Sequence, residues 1–118
     1  MQLPHHCTLC PRACGADRAA GQRGLCGADD TLRVARAALH HWEEPCLSGD
    51  PSAETGSGTV FFSGCTLRCC YCQNYPISQG EVGKAISVER LAEIFMNLQN
   101  DGAKNLNLVT ASQYLPWV

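Results

Sequence analysis

Four of the chain's nine cysteines fall within residues 65–72. Three of them, Cys65, Cys69 and Cys72, have C-x3-C-x2-C spacing. Thiolates this close together on one loop can hold three corners of an iron–sulfur cube. A structural zinc site wants four ligands, usually as two separated pairs. Three protein ligands on a four-iron cluster leave one iron open to another molecule. Cys70 lies between Cys69 and Cys72. Consecutive cysteines do not easily reach the same cube, so Cys70 reads as a packed apolar residue. Gln73 and Asn74 follow, as hydrogen-bonding partners of a bound molecule or as plain turn caps.

A second set of thiols lies near the start: Cys7, Cys10, Cys14 and Cys26, spaced C-x2-C-x3-C-x11-C. Four thiolates can complete a tetrahedral zinc site or ligate a complete cubane. Spacing does not separate the two, with zinc or another structural metal slightly favoured. No position is left for a substrate, so the role expected is structural or electron-relaying. The plain alternative is four unliganded core cysteines. Cys46 stands alone, and a free cysteine is usually a small buried hydrophobe. His40, His41, Glu43 and Glu44 are metal or acid–base candidates. They read equally well as an exposed polar segment, because adjacent residues of a strand point to opposite faces.

The elements that must position these thiols are legible. Residues 59–63 are β-branched and aromatic between glycines, the mark of a short strand. The cysteine loop leaves its C-terminal end. Ser87 is a good N-cap, with Glu89 in the first turn. Val88, Leu91, Ile94, Phe95 and Leu98 then recur on one helical face, and Gly102 suits the helix end. Residues 105–110 read as a second strand. Strand, helix, strand at this spacing predicts one parallel, right-handed βαβ unit. In sheets and barrels of such units, chemistry sits at the C-terminal strand ends. Asn105 and Asn107 share a face of the second strand, and Asn107 is a candidate lining of a polar cavity. Residues 31–36 alternate like another strand, and that segment should end by Pro45. Residues 49–58 read as a linker, dividing residues 1–50 from residues 51–118.

The chain has 118 residues and a formal charge of −2. That suits one small domain and gives no basic stripe, so nucleic acid is not the implied partner. No apolar run is long enough to span a bilayer, and residues 1–6 lack a signal-peptide core. Nine cysteines in C-x2-C-type clusters fit metal binding better than disulfides. The compartment expected is reducing cytoplasm.

Tyr71 precedes the last loop cysteine. With that aromatic, the loop resembles the signature of the radical S-adenosylmethionine (SAM) superfamily. Cys7-Thr-Leu-Cys10-Pro-Arg-Ala-Cys14, Gly24-Leu-Cys26, Trp42-Glu-Glu-Pro45, Gly56-Ser-Gly-Thr-Val-Phe-Phe-Ser-Gly-Cys65 and Asn105-Leu-Asn-Leu-Val-Thr110 extend the likeness. Together they resemble radical SAM proteins described as homologues of the pyruvate formate-lyase activating enzyme. The resemblance implies a 4Fe-4S cluster on Cys65, Cys69 and Cys72, with SAM chelating the open iron. One electron then cleaves SAM to methionine and a 5′-deoxyadenosyl radical, which abstracts hydrogen. The SAM contacts it implies are Tyr71, Asn74, Asn107, Thr110 and Ser112. Implied partners are an electron donor such as flavodoxin or ferredoxin, and a glycyl radical enzyme or other protein substrate. No nucleic acid or membrane partner is implied.

The fold class expected is therefore α/β: a cysteine-rich metal-binding module over residues 1–50, then residues 51–118 as the start of a TIM-like radical SAM barrel. Thr66, Cys70 and Gln113 depart from the family pattern, which often has Asn, an aliphatic or aromatic residue, and His there. The family's barrel has further strand–helix units, so the chain reads as a fragment or truncated product, with a lone two-stranded parallel sheet and an incomplete SAM pocket. Competing readings are radical SAM modification of another peptide or small molecule, and a non-catalytic metal or electron-transfer protein.

Overall fold

A computed structural model describes residues 2–42, 44–50 and 53–118. Glu43, one of the metal or acid–base candidates, lies outside the described residues. So do Met1 and the part of the expected linker at Pro51 and Ser52. Along the chain come strand β1 (Arg33–His40), a one-turn helix α1 (Pro45–Ser48), strand β2 (Gly56–Phe62), a one-turn helix α2 (Tyr75–Ser78), a short strand β3 (Lys84–Ala85), helix α3 (Val88–Asn100) and strand β4 (Ala103–Val109). Short 3-10 turns occupy Arg18–Ala20 and Ser112–Tyr114. The fold is a small mixed α/β domain with a cysteine-rich N-terminal region.

The strand–helix–strand unit forms as expected. The Ser87 hydroxyl accepts from the Arg90 amide at 3.1 Å and starts α3. Leu91 and Leu98 are buried, with Ile94 and Phe95 packed beside them. Val88 is the exception on the predicted face, being exposed. The helix ends at Asn100 with Asp101 as its C-cap, and Gly102 follows with a φ of +103°, which suits glycine. Then β4 returns parallel to β2, from Ser57 opposite Asn105 to Phe61 opposite Val109.

The sheet has four strands in the order β3-β1-β2-β4, which corrects the expected two-stranded sheet. The run read over residues 31–36 starts at Arg33 and continues to His40, lying antiparallel to β2. A register shift between Val34 and Arg36 makes room for a bulge, and β3 pairs antiparallel with the start of β1. Strand β2 begins at Gly56, three residues before the expected start. A Cβ at Gly58 would stand 3.0 Å from both Ala103 Cβ and the Asn105 carbonyl oxygen. This glycine lets two strands close up, where sequence reading took it for a turn.

Strand β2 is central, and the faces of the sheet differ. Val34, Val60, Phe62 and Leu108 face α3 and form the core with Leu91, Leu98, Tyr114 and Trp117. Cys26, Ala28 and Leu32 join the same core. One core therefore draws on residues from both sides of the 50/51 division, as does the sheet. Ser57, Thr59 and Phe61 point to the other face, beside Asn105, Asn107 and Val109.

Tyr114 holds the core's edge. Its ring lies 5.5 Å from Phe62 and 5.8 Å from Trp117, and its hydroxyl donates to the Ser63 carbonyl at 2.9 Å. Burial pushes its pKa up to about 12. A raised folded pKa keeps its stabilising contribution below the unfolded value and loses it as pH rises through the folded one. Stability should thus fall by about 3 kcal/mol between about pH 10 and 12. Urea midpoints measured across that range will show this slope in the unmodified chain and a flatter one in Tyr114→Phe.

Candidate metal centre

The cysteine loop springs from the C-terminal end of β2, as expected. Gly64 turns the chain with φ +83°, and its amide bonds to the Ile77 carbonyl at 2.9 Å, which closes the base of the loop. Arg68 also sits in the left-handed region, φ +56°. The Cys65 sulfur accepts from the Leu67 amide at 3.4 Å, and the Cys72 sulfur accepts from the Ser78 hydroxyl at 3.4 Å. The Cys69 carbonyl accepts from the Gln79 side chain at 2.9 Å. Cys65, Cys69 and Cys72 are half-buried. Hydrogen bonds to sulfur stabilise thiolate and tune a cluster, so this donor set fits iron–sulfur ligation. Cys70 is exposed, which corrects its reading as a packed residue: its loop neighbours Leu67, Arg68 and Tyr71 are exposed with it. Cys46 is likewise exposed on α1 rather than buried.

The N-terminal thiols lie on a folded-back segment. The Cys7 amide bonds to the Ala16 carbonyl at 3.1 Å and the Gly15 amide returns to the Cys7 carbonyl at 3.0 Å. Between them the Ala13 amide bonds to the Cys10 carbonyl at 3.0 Å. The Cys14 and Cys26 sulfurs converge at Gly24, where a Cβ would stand 3.3 and 3.4 Å from them. The backbone amides of Ala16 and Leu25 hold the Cys14 thiol below its usual range, and the Cys7 thiol lies against the same sulfur. Burial pushes Cys26 up, against the opposing pull of the Ala28 amide and the Arg18 charge. Four thiols served by amide donors are, as a donor set, the right chemistry for a thiolate-bound metal. All nine cysteines are free thiols. Among the described residues, no three Cys, His, Asp or Glu side chains meet at one point suited to a metal ion.

The two cysteine segments touch. The Cys65 amide bonds to the Cys26 carbonyl at 3.1 Å. Arg12 donates from Nε to the Thr66 carbonyl and from Nη2 to the Leu67 carbonyl, each at 2.9 Å. Arg68 reaches back to the Leu25 carbonyl at 2.9 Å. Sequence reading missed these arginines; the one signal was Arg12 lying inside the first cysteine run. Gln113 was noted only as a departure from a pattern. It is buried, and its amide nitrogen caps the Ser63 and Gly64 carbonyls at 3.3 and 3.1 Å.

Of the other expected site residues, Asn74 and Asn107 come together. With Gln73, Arg36, Phe61 and Val109 they line a groove of about 410 Å³ on the open face of the sheet. Asn74 stands at the N-cap of α2, yet its side chain makes no capping bond. Tyr71 is exposed at the loop tip. The Thr110 hydroxyl is occupied, donating to the Phe62 carbonyl at 3.0 Å, and Ser112 is exposed. The Asn105 side-chain oxygen accepts from the Ser57 hydroxyl at 2.5 Å. His41 bonds to the Thr55 carbonyl at 2.9 Å, whereas His40, at the end of β1, lines the same groove as Asn74 and Asn107. Glu44 is the N-cap of α1.

Residues 55–110 match the family described as a 4Fe-4S single cluster domain, and the cysteine loop lies wholly inside that match. The class this supports is the iron–sulfur proteins. Over 111 residues the chain is 31% identical to an uncharacterised protein of Methanocaldococcus jannaschii, covering 88% of this chain and 30% of that protein. The chain thus spans about a third of the length of this relative. No solved structure matches. Among the described residues, no helix is long and apolar enough to cross a membrane.

Proposed function

We propose that this chain is the cluster-bearing part of a radical SAM enzyme resembling the activating enzymes of glycyl radical enzymes. The observation that carries the reading is the loop at the end of β2. Its three half-buried thiols have C-x3-C-x2-C spacing, and two of their sulfurs already accept hydrogen bonds. When bound there, a 4Fe-4S cluster with one iron free of protein ligands supplies the electron that splits SAM. Cys65, Cys69 and Cys72 would hold the cluster, and the Leu67 amide and Ser78 hydroxyl, which donate to the Cys65 and Cys72 sulfurs, would stabilise those thiolates. Asn74 and Asn107 offer amides to the bound SAM from the adjacent groove. Tyr71, Thr110 and Ser112 complete the contacts implied by the resemblance, Thr110 as an acceptor, since its hydroxyl already donates to the Phe62 carbonyl. In this reading the sheet opens a barrel, and further strand ends hold the adenosine and the substrate. The partners are a reduced flavodoxin or ferredoxin and a protein carrying the abstracted hydrogen, in a reducing cytoplasm.

The test is spectroscopic. The chain is reconstituted anaerobically with iron and sulfide and reduced with dithionite, and its EPR spectrum is compared with and without SAM. A SAM-dependent change is expected of a radical SAM site, and 5′-deoxyadenosine formation of a version that also carries the further strand ends. A reduced cluster blind to SAM would leave the second reading, a two-site electron-transfer protein. The direct bond between the Cys26 and Cys65 backbones favours that reading over other non-catalytic ones.

Ser78 gives a further expected result. Removing a donor from a thiolate sulfur disfavours the reduced, more negative cluster. A hydrogen bond worth about 1 kcal/mol corresponds to roughly 40 mV for one electron. Redox titration of Ser78→Ala should therefore give a potential lower by tens of millivolts.

A further inference from the structure

Arg18 is fully buried, and its charge has no carboxylate partner among the described residues. Its Nε donates to the Asp29 carbonyl at 2.8 Å and its Nη1 to the Gln113 carbonyl at 2.6 Å. Its guanidinium lies 5.3 Å from the centre of the Trp117 ring, and its Nη2 has no partner among the described residues. Neutral carbonyls and a ring do not cancel a buried cation, which is costly to leave unpaired. Cys26 and Tyr114 both lie within the reach of this charge. A divalent metal or a cubane on four thiolates carries net negative charge, which is the missing counterpart.

The same arginine is tied to the root of the cysteine loop. It bonds to the backbone of Gln113, whose side chain holds the carbonyls of Ser63 and Gly64 just before Cys65. Cys26 itself receives the Cys65 amide. On the outer side, Arg12 and Arg68 bind the two segments reciprocally. A metal at the first site would thus immobilise the surface on which the second loop is built.

We propose that the segment carrying Cys7, Cys10, Cys14 and Cys26 is a metal-dependent clamp on the Cys65–Cys72 loop, with Arg18 as the buried countercharge of its metal. Filling of the first site then governs retention of the cluster in the second. The clamp rests on the loop cluster of the proposed function, but it adds an order: the first site does not need the second, while the second needs the first. Arg18, Gln113 and Arg12 act as positioning residues.

The experiment counts metal in the full chain after anaerobic reconstitution and follows the reduced-cluster EPR signal during challenge with a chelator. Cys69→Ser should keep the first-site metal and lose the loop cluster. Cys14→Ser should lose both. Arg18→Met should lower first-site affinity by roughly tenfold or more, the scale of lost outer contacts to a metal site. Arg12→Gln alters an exposed side chain, so folding is not at issue. It should keep the first-site metal while the loop cluster is stripped roughly tenfold faster. A Cys14→Ser chain with a full, equally retained loop cluster overturns the clamp. If Cys14→Ser does not fold, Arg12→Gln decides, and cluster loss at the unmodified rate overturns it. Absence of any loop cluster from the unmodified chain would instead sink the iron–sulfur reading of the loop, and the clamp with it.

Discussion

Cys65→Ala, Cys69→Ala and Cys72→Ala should each abolish the loop cluster, while Cys70→Ala should leave it in place. The four residues stand within one short loop, so composition alone would not separate them. Geometry does. Cys65, Cys69 and Cys72 are half-buried, and two of their sulfurs receive hydrogen bonds from Leu67 and Ser78. Cys70 is exposed. A cubane held by three thiolates loses a corner with each removal, so the expected effect is loss of essentially all loop iron. The fold should survive, because none of the three belongs to the hydrophobic core. Iron and sulfide analysis with the visible absorbance of each reconstituted variant reads the result. Cluster loss from Cys70→Ala together with retention in Cys69→Ala would refute the ligand assignment.

Gly64→Ala should destabilise the fold and undock the two cysteine segments. A Cβ there would run into the Cys26 carbonyl oxygen, the acceptor of the Cys65 amide. The backbone also sits at φ +83°, where an L side chain costs about 1–2 kcal/mol. Displacing the carbonyl forfeits a hydrogen bond worth about 1 kcal/mol. The expected loss is about 2–3 kcal/mol, a large share of the stability of a small domain. Gly27 supplies the control. Its φ is +85°, and a Cβ there would meet nothing within 4 Å. Gly27→Ala should therefore cost only the backbone term. Thermal melts of the two variants separate strain from collision. Equal melting temperatures would mean that the Cys26–Cys65 contact contributes nothing.

Helix α3 was legible because its signals are local. Its cap, its acidic first turn, its apolar stripe and its terminal glycine all lie within sixteen residues. Strand β4 follows from the same logic, and parallel pairing with β2 follows from the crossover between them. Of the other half of the sheet, β1 was read only over residues 31–36 and β3 was not read at all. Glycine signals a turn in sequence, yet Gly58 serves a strand because β4 comes too close for a side chain. The exposure of Cys70 and Cys46 was misread, because cysteine's tendency to be buried says nothing about whether a core lies beneath a given position.

The sequence by itself determined the chemistry on offer. Cys65, Cys69 and Cys72 are bound to one loop by their spacing, and that loop is bound to a strand end by the residues around it. Ligand type and spacing are local properties, carried by any chain that places these residues in this order. The tertiary structure alone decided that the two cysteine segments form one unit. The contacts responsible join Arg12 to Thr66 and Leu67, Arg18 to Gln113, and Gln113 to Gly64, across 54, 55, 95 and 49 positions of chain. They depend on which carbonyls the folded backbone leaves facing inward. No periodicity records that, because a carbonyl is common to every residue and only the fold determines which of them an arginine can reach.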